Sequence, residues 1–352
     1  MRNLLVAAIA AFLAVSLSAA SADVAALKDY AVRALPKCPD QKVTLEAVDK
    51  AGPIGFLPYV LTQTSSDSTC GRQTTLLYSP LSQQVLIGTV IDLPPDARNV
   101  DVRVAERAME MLKTPLTATV AKFPLPDRLK ATAIFKQTEY GPFAYHGFVD
   151  ASERFLVVGT RGSLLMPPSK TLIGALNIQN GVRRGNPKAK AQIIELSDFE
   201  CPSCRRAHME IEPIIEKHLS KVDYIRLDLP LFEHHEWAVP AAMAARAIAK
   251  VAPNEYWKFA DWVYKNQEEI GKRKSFDEVI REYCQDREIN WPAVEKIYRS
   301  QAERNALMDQ VSRAFDNGIN STPTYIVNGQ IMGFGPHGSF TVKAIKDALG
   351  IK

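Results

Sequence analysis

Residues 195–208 read ELSDFECPSCRRAH and place Cys201 and Cys204 two residues apart, where an apolar, acidic run gives way to a helical pattern. Three chemistries compete for such a pair: half of a metal site, a structural link, or a dithiol–disulfide couple. A zinc site needs two further soft ligands, but Cys38, Cys70 and Cys284 are scattered singly, with no His at a paired spacing near any of them. A disulfide closing so small a loop removes little chain entropy. The redox couple fits the local physics best. A helix start would face the Cys201 sulfur with unpaired N–H groups and the positive end of the helix dipole. Both stabilise a thiolate, the reacting species. Pro202 suits the first helical position, where no N–H is needed. Cys204 falls one turn in, able to attack a mixed disulfide at Cys201. Arg205, Arg206 and His208 would add positive potential or simply face solvent.

Around this stretch the chain runs to 352 residues, enough for two domains. Its 46% hydrophobic and 23% charged residues are ordinary for a globular protein. A net charge of +4 argues for neither nucleic acid nor an anionic membrane as partner. Residues 1–22, MRNLLVAAIAAFLAVSLSAASA, have the basic start, short apolar stretch and Ala20-Ser21-Ala22 ending of a cleaved signal peptide. Export to the periplasm or another oxidising compartment is therefore expected, and there disulfides are permitted.

The rest divides in two. Residues 23–165 alternate helical and strand-like runs, an α+β pattern without a convincing repeat or low-complexity segment. Helical spacing marks Asp23–Leu35 and Asp101–Lys113. Strand-like runs lie between and after them, as far as Arg154–Gly159. Arg161–Ser169 is the expected boundary. From 166 to 352, Leu172–Asn177, Ala191–Leu196 and Asp223–Leu229 read as strands, with a helix from Cys204 to about His218. A helical block spans about 238–317, including a capping box at Ser275 to Glu278 and one helix from Trp291 to about Asn317. Tyr325–Asn328 and Gln330–Phe334 flank Asn328-Gly329, a hairpin signal, and Thr341–Leu349 closes as a helix.

IIELSDFECPSC (193–204), followed far downstream by GINSTPTYIVNG (318–329), resembles the DsbA-like thioredoxin family of exported thiol–disulfide oxidoreductases. The resemblance covers the chain from about Thr171 onward and implies an α/β thioredoxin fold with a helical insertion. It makes Cys201 the nucleophile, Cys204 the resolving thiol, and Pro202-Ser203 the dipeptide that tunes redox poise. Glu195 matches a buried acid that can serve the resolving thiol as base. Thr322-Pro323 matches a cis-proline loop packed on the cysteines, with Thr322 pairing to substrate backbone. The dipeptide lacks the His of the commonest CPHC oxidases, so the direction of exchange stays open. The resemblance implies cysteine-containing exported proteins as substrates and a membrane redox partner. It implies no metal, nucleotide or flavin.

Outside the motifs, Cys38 and Cys70 are candidates for a structural disulfide or a second redox pair. Cys284 lies on an apolar helical face as a buried inert thiol. His234-His235 reads as a turn without a third metal ligand. Trp257, Phe259 and Trp262 read as core or groove. The N-terminal region matches no motif and leaves open homodimerisation or client binding, which would favour isomerase or reductase work. A chaperone-like binder with an incidental CxxC is the remaining alternative.

Overall fold

A computed structural model describes residues 23–67, 70–96, 98–125, 127–273, 275–333 and 338–352. The expected signal peptide lies outside them.

Two units of one helix and four strands make the N-terminal half. The first is α1 (residues 23–34) followed by β1 (Lys42–Ala47), β2 (Leu57–Thr64), β3 (Arg72–Ser79) and β4 (Gln84–Asp92). The second is α2 (Val100–Leu112) followed by β5 (Thr117–Val120), β6 (Leu129–Thr138), β7 (Gly141–Asp150) and β8 (Phe155–Ser163). Their strands join edge to edge, β4 against β8, into one antiparallel sheet of order β1-β2-β3-β4-β8-β7-β6-β5. This repeat of helix and meander corrects the expectation of none. It repeats element order and packing, which amino-acid identity need not follow. The apolar faces of the helices decide the layer. Leu27, Tyr30 and Ala31 pack on Tyr59, Leu61, Leu76 and Val85, and Val104 and Ala108 pack on Ile91, Val120, Ile134 and Leu156. At the joint Gly88 opposes Gly159. A Cβ on Gly88 would come within 2.2 Å of the Val158 carbonyl oxygen, so only glycine permits that approach.

The C-terminal half is a five-stranded sheet with helices. It begins with α3 (Pro168–Leu176), where a strand over Leu172–Asn177 was expected. Pro168 sits in the first turn, where its missing N–H costs nothing, and Asn177 ends the helix in the left-handed conformation at φ 49°. Leu172 and Leu176, four apart, are the buried face. The first strand is instead β9 (Val182–Gly185), ahead of β10 (Ala191–Ser197), α4 (Pro202–Lys217) and β11 (Val222–Asp228). The insertion holds α5 (Ala238–Val251), α6 (Tyr256–Lys265), α7 (Gln267–Ile270), α8 (Phe276–Asp286), α9 (Trp291–Tyr298) and α10 (Gln301–Asp316). The single helix expected from Trp291 is thus broken at Arg299-Ser300, because the Ser300 hydroxyl accepts the Glu303 N–H and caps a new helix. Hairpin β12 (Thr324–Val327) and β13 (Gln330–Gly333) and helix α11 (Ser339–Leu349) complete the chain. Sheet order is β13-β12-β10-β11-β9, with β10 and β11 parallel and the other pairs antiparallel. Both faces are covered, so β11 is buried at every position.

The halves share a core. Phe143 of β7, 1% exposed, lies within the C-terminal cluster. Its ring meets Phe232 at 5.4 Å and Phe315 at 5.5 Å. His146 bonds Asp316 of α10 through its N–H at 2.8 Å and its ring at 2.7 Å. Lys136 pairs with Glu233. Among the described residues no helix is long and apolar enough to cross a membrane.

Candidate active site

Cys201 occupies the N-cap of α4, in extended conformation, with Pro202 opening the helix. The helical pattern starts there because proline supplies its own φ and the next N–H groups are free to point at the sulfur. Cys201 is 7% exposed and Cys204 0%, and both are free thiols. The Thr322–Pro323 peptide is cis. The Thr322 carbonyl oxygen lies 3.6 Å from the Cys201 sulfur. The Thr322 hydroxyl is buried.

The two thiols are driven apart in acidity. Cys201 is brought down to about 6 by its hydrogen bond with Cys204, against burial, with Thr322 and the N–H groups of Cys204 and Ser203 helping. Cys204 is pushed well above the ordinary thiol range by burial first and then by Cys201, opposed by the Ser197 hydroxyl and the Asp198 N–H. Such a pair has one sulfur ready to attack and one held as a proton-bearing thiol.

Glu195 is 1% exposed. Its carboxylate accepts from the Tyr224 hydroxyl and, at 3.2 Å, from Arg226 Nη1. Among the described residues no hydrogen bond joins it directly to either cysteine; it connects through a chain. Arg226 Nη2 donates to the Tyr264 hydroxyl at 2.9 Å, and that hydroxyl lies 2.8 Å from Ser197 Oγ. The Ser197 hydroxyl in turn acts to lower the Cys204 thiol. The Arg226 guanidinium also lies over the Phe199 ring at 4.2 Å.

The expected positive potential beyond the cysteines is reduced. His208 is buried and its ring is pushed toward neutrality by loss of solvent. Arg205 is paired with Glu268, and Arg206 donates to Ser203 Oγ at 2.8 Å. Trp257, Phe259 and Trp262 pack in or against the insertion core. Cys284 is buried in α8, and burial lifts its thiol to about 11. Cys38 and Cys70 are joined in a disulfide. Ser197, Asp198, Tyr264 and Gln267 escape sequence reasoning. Gln267 Nε2 donates to the carbonyls of Phe199 at 2.8 Å and Cys201 at 3.2 Å, from a short helix with no motif. Only the polar Ser197-Asp198 at the end of a buried strand gave a signal.

A shallow hollow of about 460 Å³ borders the pair, lined by Pro202, Arg205, Arg206, Met209 and Glu210. A second cavity of about 500 Å³ lies away from the cysteines, between the N-terminal sheet and α10, with Arg72, Ile87, Tyr145 and Phe315 in its wall.

Residues 177–349 match the family model described as Thioredoxin. Disulfide bond formation protein D of Bacillus subtilis is 23% identical over 155 residues, 42% of this chain and 68% of that protein. A Na(+)/H(+) antiporter NhaA 3 of Salinispora tropica is 26% identical over 166 residues, 47% of this chain and 24% of that protein. The chain thus spans about a quarter to a third of the length of the first curated relatives it matches. Among solved structures, thiol-disulfide exchange protein alpha-DsbA2 of Wolbachia pipientis aligns at TM-score 0.43 and 18% identity, over 51% of this chain and 95% of that one. The C-terminal half thus carries a CxxC at a helix start, a helical insertion and a cis-proline loop in that order, within the stretch that matches the thioredoxin family model.

Proposed function

We propose that the protein is an exported thiol–disulfide oxidoreductase acting on cysteines of other exported proteins and supporting their oxidative folding. The observation that carries this reading is the Cys201 thiol, brought to about 6 at the start of α4 and set against Thr322. The Cys201 thiolate attacks a client disulfide, or a client thiolate attacks the Cys201 sulfur of the oxidised pair, and a mixed disulfide forms. Cys204 then attacks the Cys201 sulfur, closing the CxxC disulfide and releasing the client thiolate, or the reverse sequence oxidises the client. Extended client backbone pairs beside Thr322, and the hollow along α4 receives flanking side chains. Two electrons pass per cycle, and a membrane redox partner restores the starting state. The NhaA name belongs to proteins of which this chain matches a minor part, and antiport is not proposed.

Net oxidation and isomerisation differ in which state accumulates. The test is trapping. A Cys204→Ala variant, which cannot resolve, should accumulate mixed disulfides with exported proteins through Cys201. A Cys201→Ser variant should accumulate none. Equal yields from both would contradict the assignment of nucleophile.

A further inference from the structure

The segment linking β11 to α5 folds back against the start of α4 and carries His235 with it. His235 Nδ1 lies 2.7 Å from Asp198 Oδ2. The Asp198 side chain is fully buried, whereas that of His235 keeps 19% of its surface. The other partners of this carboxylate are neutral N–H groups, from Glu200 at 2.8 Å to Oδ1 and from Leu231 at 2.8 Å to Oδ2. Asp198 also touches both cysteines through its backbone. Its N–H points at Cys204 Sγ at 3.4 Å, and its carbonyl accepts the Cys201 N–H at 3.3 Å.

A buried carboxylate is costly without a counter-charge, and this one belongs to a residue whose backbone touches both cysteines. Among the groups bonded to Asp198, His235 is the one able to carry a positive charge. Of the cationic side chains that follow the pair on α4, Arg205 is committed to Glu268, Arg206 donates to Ser203 Oγ, and His208 is buried toward neutrality. We propose that His235, bonded to Asp198, is a positioning residue for thiol–disulfide exchange that supplies from outside the CxxC the positive charge favouring the Cys201 thiolate. This rests on the reading of Cys201 and Cys204 as the redox pair.

The surroundings agree in sign. His235 is raised above its ordinary value by the Asp198 hydrogen bond first, against burial, and then by the charges of Asp198, Cys201 and Glu200. Glu200 faces it from the loop before α4 and is itself raised by burial. On its own segment stand Glu233, His234 and Glu236. From the β6–β7 hairpin come Lys136, held by Glu233, and Glu139 and Tyr140, the latter donating to the Glu236 carbonyl at 3.4 Å. Coupling of this kind is reciprocal. Oxidation joins the two sulfurs, passes two electrons to the disulfide being reduced, releases the Cys204 proton and removes the thiolate from beside His235. The imidazolium then loses a partner and gives up its proton more readily.

His235→Asn tests this, because the Asn amide can take the place of Nδ1 against Asp198 without ever being charged. The Cys201 thiol pKa, read from the pH profile of iodoacetamide alkylation, should rise by about half a unit to one unit. The reduction potential of the pair should become more reducing, because the thiolate of the dithiol form is less favoured. In the wild-type protein, histidine NMR should find His235 titrating at higher pH in the dithiol than in the disulfide form. An unchanged Cys201 profile and potential in a folded His235→Asn protein would overturn the proposal. So would a His235 that titrates identically in the two redox states, a comparison that needs no variant to fold. A wild-type pair that never exchanges with glutathione would instead bring down the underlying function reading, and this proposal with it.

Discussion

The sulfur of Cys201 lies 3.6 Å from the carbonyl oxygen of Thr322, a contact across 121 residues of sequence. Sheet pairing makes it: β10 leads into α4, β12 follows Pro323, and the two strands are antiparallel neighbours with Glu195 opposite Tyr325. The end of one strand and the start of the other therefore meet over the helix N-terminus. Thr322→Val removes the hydroxyl and keeps the shape. The account predicts a Cys201 thiol pKa about half a unit higher, measured by alkylation against pH.

The dithiol form should show a pH-dependent stability. The folded Cys201 thiol, at about 6, lies below its ordinary value of 9.0. An acid whose pKa is depressed by folding stabilises the fold fully above the unfolded value and loses that contribution as pH falls through the folded one. Urea titrations of the dithiol protein should give rising stability from about pH 6 to about pH 9. The same series on Cys201→Ala should lack that component.

Glu195 and Arg226 form an ion pair with side chains 2% and 1% exposed. Removing one member leaves the other charged and dry. Glu195→Gln should cost about 3–5 kcal/mol of stability, read by denaturant unfolding. Arg226 does not release a proton, so the chain through Tyr264 serves to orient the Ser197 hydroxyl. Tyr264→Phe should slow resolution of mixed disulfides while leaving Cys201 alkylation in place, as stopped-flow exchange would show.

Phe143 ties the halves together. It belongs to the N-terminal sheet by chain and to the C-terminal core by packing. Phe143→Ala should destabilise by about 3–5 kcal/mol, checked by thermal and denaturant unfolding. If the halves are coupled as the contacts indicate, both should lose stability together rather than the sheet alone.

The Cys38–Cys70 disulfide spans a sequence separation of 32. In the chain-entropy view it stabilises by about 3–4 kcal/mol. A double Cys38→Ala, Cys70→Ala variant should lose about that much while CxxC exchange continues unchanged.

What the sequence disclosed and what it hid follow from range. The CxxC at a helix start, the hairpin at Asn328-Gly329 and most strands are local patterns, and they appear where their residues put them. Leu172–Asn177 misled because a short apolar run suits strand or helix alike; Pro168 and the left-handed Asn177 decide it. The doubled helix-and-meander unit was invisible because packing repeats while identities do not. Asp198 and His235 are 37 residues apart, and nothing in either segment announces the other. Glu195 was found by resemblance, but its partners Tyr224 and Arg226 belong to a neighbouring strand whose register only the fold provides.

The most direct test is a glutathione redox titration of the wild-type protein with thiol trapping and mass spectrometry. The account predicts that Cys201 and Cys204 oxidise together in a single two-electron transition while Cys284 stays a thiol throughout. A CxxC pair that stays reduced across the whole range, or two cysteines that react independently with glutathione, would contradict it.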